Sequence, residues 1–221
     1  MAAEPLRLAH RGDWREAPEN TLAALLAGAR KPGCDGVEFD VRLSRDRVPV
    51  VIHDATLERV QGVDAEVASL SAAELEGHGV ASLEAVLGAL PRRAFLDVEL
   101  KVVPGAETVA VLAAGRGPDL HRAAISSFDP TALEAIAHLA PAWPRWLNAV
   151  VLDAQAVAQA TRLGCTAVSG HWRSVRPASV RLARDAGLQV VAWTGRRRST
   201  YARLARLGVF AICAEGPALD G

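Results

Sequence analysis

Two short stretches set carboxylates against apolar residues with a period of two. In Val37-Glu38-Phe39-Asp40-Val41, an extended strand would put Glu38 and Asp40 on one face and the three apolar side chains on the other. Phe95-Leu96-Asp97-Val98-Glu99-Leu100-Lys101 repeats the arrangement, with Asp97, Glu99 and Lys101 sharing a face. Carboxylates about 7 Å apart along a strand repel each other unless a cation lies between them. Three or four of them, completed by water, suit a hard divalent ion such as Mg2+ or Ca2+. The alternative is a charge-paired polar layer in which Lys101 neutralises Glu99.

Histidines close two apolar runs, Leu8-Ala9-His10-Arg11-Gly12 and Val50-Val51-Ile52-His53-Asp54. Imidazoles titrate near neutral pH, so His10 and His53 beside a carboxylate cluster form an acid–base pair. Arg11 offers a planar fork to a phosphate or carboxylate, and Gly12 lets the chain turn sharply after it. In Pro18-Glu19-Asn20-Thr21, Asn20 or Thr21 can cap a helix that begins near Leu22. Trp193, near the end of Val190-Val191-Ala192-Trp193-Thr194, serves either as packing or as a wall for an apolar part of a substrate. His171-Trp172 has the same two readings. There is no glycine-rich phosphate loop, nucleophile elbow or HExxH helix.

Residues so far apart need a scaffold that ends several strands at one place. β-rich runs near 6–10, 36–41, 48–53, 94–101, 123–127, 145–151, 165–169, 188–194 and 209–214 alternate with helical patterns at 20–30, 82–90, 106–115, 130–139, 153–163, 176–186 and 198–207. Gly164 and Gly187 sit where helix C-caps are needed. This order predicts an α/β fold, a TIM (β/α)8 barrel whose working end lies at the strand C-termini. Segments 36–41 and 48–53 are too close for a parallel crossover, which takes a dozen or more residues. The second is therefore the return arm of a hairpin, and a loop excursion over about 42–81 follows, with a short helix near 71–76. After the last strand only Glu215–Gly221 remain, too few for a full eighth helix. A truncated eighth helix would leave apolar surface on the first and last strands, and a homodimer is one way to cover it.

With 221 residues, half of them hydrophobic, the chain can bury one core, and a single domain over 1–221 is expected. A formal net charge of zero supplies no field for nucleic acid or an anionic membrane. The densest basic run, Arg196-Arg197-Arg198, reads as a solvated turn or as a local anion site. Cys34, Cys165 and Cys213 share no short spacing, which argues against a disulfide framework or a thiolate metal site. The first apolar run is broken at His10, so neither a signal peptide nor a membrane-inserted segment is expected, and the predicted location is cytoplasmic.

Taken together, these motifs resemble the glycerophosphodiester phosphodiesterase family. His10-Arg11-Gly12, Pro18-Glu19-Asn20-Thr21, Gly36-Val37-Glu38-Phe39-Asp40-Val41 and Val50-Val51-Ile52-His53-Asp54 match its opening motifs in order and spacing. Val98-Glu99-Leu100-Lys101, Ser127-Phe128-Asp129 and Trp193-Thr194 carry the match across the chain. The resemblance implies a TIM barrel with a divalent cation on Glu38, Asp40 and Glu99. It implies catalytic histidines at His10 and His53 and phosphate contacts from Arg11 and Lys101. The implied reaction turns a small glycerophosphodiester into an alcohol and glycerol 3-phosphate.

Two departures stand out. Thr194 is followed by Gly195-Arg196, where the family usually has Asn shortly after Trp-Thr, and the usual acidic-residue-before-proline ending reads Ala214-Glu215-Gly216-Pro217. Both lie where a polar head and leaving alcohol would sit. The rival readings are a non-catalytic barrel that binds phosphorylated ligands and a phospholipase D-like enzyme acting on lysolipids. The latter needs an apolar acyl groove, of which the sequence gives no clear sign.

Overall fold

Eight parallel strands close on themselves in the structure, a computed structural model that describes residues 4–220. In chain order the elements are β1 (Leu6–His10), α1 (Leu22–Arg30), β2 (Gly36–Leu43), β3 (Pro49–Val51), α2 (Glu58–Gln61), α3 (Ala72–Gly77), α4 (Leu83–Ala89), β4 (Phe95–Leu100) and α5 (Ala106–Arg116). There follow β5 (Ala123–Ser127), α6 (Pro130–Leu139), β6 (Arg145–Ala149), α7 (Ala154–Arg162), β7 (Ala167–His171), α8 (Pro177–Asp185), β8 (Gln189–Gly195), α9 (Arg198–Arg206) and β9 (Ala211–Ala214). The parallel pairings run from β1 through β2 and β4 around to β9, and β9 pairs back to β1. This is the expected TIM barrel. β3 lies outside it, antiparallel to the far end of β2 with Val41 opposite Val51, as the hairpin reading requires.

The period-two pattern sorts the side chains. Val37, Phe39, Val41, Leu96, Val98 and Leu100 face the helices in one continuous core, while the alternate positions point into the barrel. At the N-terminal end the interior is plugged by Phe95 stacked on Trp146, with ring centroids 5.7 Å apart, and by Phe210 edge-on to both. That plug leaves the C-terminal half of the interior for polar groups.

The excursion after β3 contains the short helix expected near 71–76, closed by a Ser71/Glu74 capping box. It also contains α2 and a 3-10 turn at Val67–Ser69, and it packs a small core of its own from Val50, Ile52, Leu57, Val67, Leu75 and Val80. Two differences from the expected boundaries bear on the site. The hairpin arm stops at Val51 and β4 stops at Leu100, so His53 and Lys101 lie just past their strands.

In place of an eighth helix there is a 3-10 turn at Gly216–Leu219. Ala218 and Leu219 are buried in the same core as the helix-facing side of the barrel, and the turn packs on β1 and α9. The chain thus covers the surface that had suggested a partner subunit. Asp220 holds the turn in place, with Lys31 Nζ at 3.1 Å and Arg15 Nη2 at 3.2 Å. Bonds from Arg15 and Lys31 hold the Asp220 carboxyl down at about 2. A carboxylate depressed in the folded state stabilises it above the unfolded value of about 4, and loses that effect as pH falls through the folded value. Asp220→Asn should therefore lower the melting temperature slightly at neutral pH, and the difference from the parent should close near pH 2, as followed by circular dichroism.

Candidate active site

Strand register brings the acidic residues together. β1 and β2 set His10 opposite Glu38, and β2 and β4 set Asp40 opposite Glu99 and Glu38 opposite Asp97. One carboxylate oxygen from each of Glu38, Asp40 and Glu99 lies within 4.8 Å of the others, and all three residues are buried. Asp97 shares their face but stays out of the cluster. Its Oδ2 faces Cys213 Sγ at 3.8 Å, and burial pushes its carboxyl up to about 7. The three or four inward carboxylates of the sequence thus resolve to three.

These three differ in their surroundings. Asp40 accepts from Asn20 Nδ2 at 2.8 Å and faces Arg11 Nε at 3.2 Å and Lys101 Nζ at 3.1 Å. Burial works against its charge, but Lys101 and Arg11 outweigh it and hold the carboxyl below its ordinary value. Glu38 is the opposite case. Burial and the neighbouring Asp40 and Glu99 drive its carboxyl well above the usual range. Its Oε2 accepts from the Arg11 backbone N–H at 3.0 Å, whereas its buried Oε1 meets no donor. Lys101 bonds to Glu99 as well as to Asp40, so the charge-paired layer exists in part. It does not satisfy Glu38. An orphaned buried carboxylate oxygen within a three-carboxylate cluster is a donor set that fits a hard divalent cation.

Each histidine is held by a carboxylate. His10 Nδ1 lies 2.6 Å from Glu215 Oε1, and its Nε2 lies 3.7 Å from Glu38 Oε2. His53 Nδ1 lies 2.6 Å from Asp54 Oδ1. From Asp54 a chain of charged bonds runs through Arg59 to Glu19 (2.6 Å), and Arg11 donates to the same Glu19 oxygen at 2.7 Å. Burial lowers the His53 pKa, which keeps the ring largely neutral at pH 7.

The turn after His10 has a steric cause. Arg11 and Asn20 both adopt left-handed backbone, at φ 58° each, and the Asn20 N–H donates to the Arg11 carbonyl at 3.0 Å. Gly12 has φ 85°, and a Cβ there would sit 2.4 Å from the Ala24 carbonyl carbon. Only glycine fits between β1 and α1. Gly12→Ala should cost about 2–5 kcal/mol in urea unfolding, from backbone strain and overpacking together.

A cavity of about 280 Å3 opens at this end of the barrel. Of the residues expected from the sequence, His10, Arg11, Glu38, His53, Glu99, Lys101 and Trp193 line it, and Asp40 is fully buried behind them. On the far wall, Trp193 Nε1 donates to the Ser169 carbonyl at 3.3 Å, and Phe128 and His171 stand edge-on to its ring, each at 5.3 Å. Sequence reasoning missed several supporting residues. Of the two cap candidates Thr21 is the cap, accepting from Ala24 N at the start of α1, while Asn20 takes an unforeseen role and clasps both the side chain and the backbone of Asp40. Asp54 could have been found as the immediate neighbour of His53. Glu215 is visible in the sequence only as a departure from a motif, Glu19 only as part of the Pro18-Glu19-Asn20-Thr21 motif with no role assigned, and Arg59 carries no local signal.

Residues 10–108 and 102–219 match the model of the Glycerophosphoryl diester phosphodiesterase family. The chain belongs to this family. The Glycerophosphodiester phosphodiesterase of Caldanaerobacter subterraneus subsp. tengcongensis is 27% identical to it over 230 residues, 96% of this chain and 94% of that protein. Among solved structures, an Oleispira antarctica phosphodiesterase in complex with the product sn-glycerol-3-phosphate is 28% identical with a TM-score of 0.81, covering 96% of this chain and 93% of that one. The glycerophosphodiester phosphodiesterase from Agrobacterium tumefaciens str. C58 is 26% identical with a TM-score of 0.83, covering 97% and 98%. Among the described residues no helix of this family member is long and apolar enough to cross a membrane.

Proposed function

We propose that the whole chain, residues 1–221, acts as one catalytic barrel that hydrolyses glycerophosphodiesters to an alcohol and glycerol 3-phosphate. The observation that carries this reading is the meeting, in one cavity, of a three-carboxylate cluster with an unpartnered buried oxygen and two histidines braced by carboxylates. Family membership and the glycerol-3-phosphate complex of the Oleispira relative support it.

Glu38, Asp40 and Glu99 would hold the divalent cation, Mg2+ or Ca2+. When bound, such an ion polarises phosphoryl oxygens and offsets the charge that grows on them. Arg11 and Lys101, which line the cavity beside the cluster, give charge-assisted hydrogen bonds to the non-bridging oxygens. Burial raises the cost of both cations, but Asp40 leads the carboxylates that outweigh it, so both stay charged throughout. With Nδ1 tied to a carboxylate, each histidine keeps Nε2 for the reacting groups. His53, neutral at pH 7, accepts a proton from the attacking water as the water oxygen bonds to phosphorus. His10, flanked by Glu215 and Glu38, delivers a proton to the alcohol oxygen as its bond to phosphorus breaks.

A panel of phosphodiesters assayed for glycerol 3-phosphate release, with Mg2+, Ca2+ or EDTA, tests the proposal. Turnover with metal and its loss in EDTA are expected. Diester binding by calorimetry with no release under any condition would instead identify a non-catalytic barrel. One observation favours an additional lysolipid activity: Val150 and Val151 are 64% and 57% exposed after β6, and with Leu182 of α8 they line an open apolar shelf reaching His171. Including lysophosphatidylcholine in the panel tests whether that shelf receives an acyl chain.

A further inference from the structure

A second cavity, of about 490 Å3, lies beside the catalytic mouth on the loops after β7 and β8. Trp193, Thr194 and Arg196 line both cavities, so the two form one continuous depression. The charge of the second is one-sided. Arg173, Arg196 and Arg197 line it, and no aspartate or glutamate does. Arg196 is partly spent on Glu215, 2.8 Å from its Nε, but Glu215 gives its other oxygen to His10. Arg173 and Arg197 form no ion pair among the described residues. The hydroxyl-bearing Ser199 and Thr200 complete the same wall. Because the protein as a whole is neutral, this local excess is not a by-product of general basicity.

The aromatic groups nearby do not offer an open box for a cationic head. Arg173 lies over the Trp172 ring at 4.7 Å, and Arg203 lies 5.8 Å from the same ring, held there by donating to the Trp172 and Val175 carbonyls. The Trp193 ring is engaged edge-on by Phe128 and His171. A quaternary ammonium seeking the Trp172 ring would meet guanidinium groups there. Guanidinium forks match a phosphate in both charge and geometry.

We infer that this cavity receives the leaving alcohol and selects alcohols that carry a phosphate of their own. The inference rests on the hydrolase reading and names its preferred substrate class: glycerophosphodiesters whose alcohol is itself phosphorylated. It gives a role to Arg196, part of the Gly195-Arg196 departure from the family's usual pattern, and to its neighbour Arg197. Arg173, Arg196 and Arg197 are the specificity-determining residues. They act on the part of the substrate that departs, at a distance from the phosphorus under attack.

The test compares kcat/KM for glycerophosphoinositol 4-phosphate, glycerophosphoinositol and glycerophosphocholine with divalent metal present. The first two differ only by the added phosphate. A preference of about tenfold or more for the phosphorylated diester is expected, the scale of a charge-assisted contact, with glycerophosphocholine the poorest. That preference should shrink in 0.5 M NaCl, and it should collapse in the Arg173→Gln/Arg197→Gln double variant, whose melting curve reports that it is folded. Equal turnover of all three, or a preference for glycerophosphocholine, overturns the inference and leaves the hydrolase reading standing. A preference that persists in the double variant overturns the assignment to these arginines. No turnover of any of the three overturns the hydrolase reading and this inference with it.

Discussion

His10→Ala should lower kcat for glycerophosphodiester hydrolysis by about 10²–10⁴-fold, the usual contribution of one positioned proton donor or acceptor. The loss should fall on kcat more than on KM, because Arg11 and Lys101 remain to bind the phosphate. His10 lines the cavity between two carboxylates, with Glu215 at 2.6 Å and Glu38 at 3.7 Å. Its side chain is 15% exposed and its loss leaves Glu215 without the imidazole, so a melting curve must show the variant folded before its kcat is read. Glu215→Gln, which keeps the shape but not the charge behind the imidazole, should give a smaller loss and shift the pH–rate profile. Burial would raise the Glu215 carboxyl, yet His10 and Arg196 hold it below its ordinary value, so the carboxylate behind the imidazole is charged at neutral pH. Undiminished kcat in His10→Ala would remove this histidine from the mechanism.

Glu38→Gln should separate activity from stability. The Glu38 carboxylate is buried among Asp40, Glu99 and Asp97, and its Oε1 has no donor. In metal-free protein the charge is therefore a burden, since a buried and uncompensated carboxylate destabilises the fold. A glutamine of the same shape can still accept from the Arg11 N–H through its carbonyl oxygen. In EDTA the variant should melt at or above the parent temperature. With Mg2+ or Ca2+ the order should reverse. Ligand at about 100 times its Kd stabilises the parent by about 2.7 kcal/mol through mass action, whereas the variant gains little and loses most of its turnover. Calorimetric scans with and without metal read both halves. An equal metal-induced shift in parent and variant would remove Glu38 from the ion site.

What could be read from the chain alone follows from how far each signal reaches. Strand alternation is local, so the acid-bearing faces of 37–41 and 95–101 were legible before any fold was known. Register then follows from closing a parallel barrel, which is why Asp40 meets Glu99. Depth is not local. Asp97 and Glu99 look alike in the sequence, and only the neighbours above and below separate them: Cys213 beside Asp97, Lys101 beside Glu99. Asn20 and Thr21 could each cap α1, because capping and clasping call for the same short polar side chain; Thr21 is the cap, and the left-handed turn at 11–20 carries Asn20 under Asp40 instead. The ties from His10 to Glu215 and from Arg59 to Glu19 span 205 and 40 residues, and no periodicity in the chain encodes such distances.

The excursion after β3 gathers its own apolar cluster, apart from the barrel's, and carries His53, Asp54 and Arg59 with it. One of the two imidazoles is thus mounted on a separable cassette, joined to the scaffold through the β2–β3 hairpin and the charged relay to Glu19. Such a module can be exchanged or retuned by mutation without recutting the barrel walls, so a lineage can alter or silence its chemistry while its scaffold stays intact.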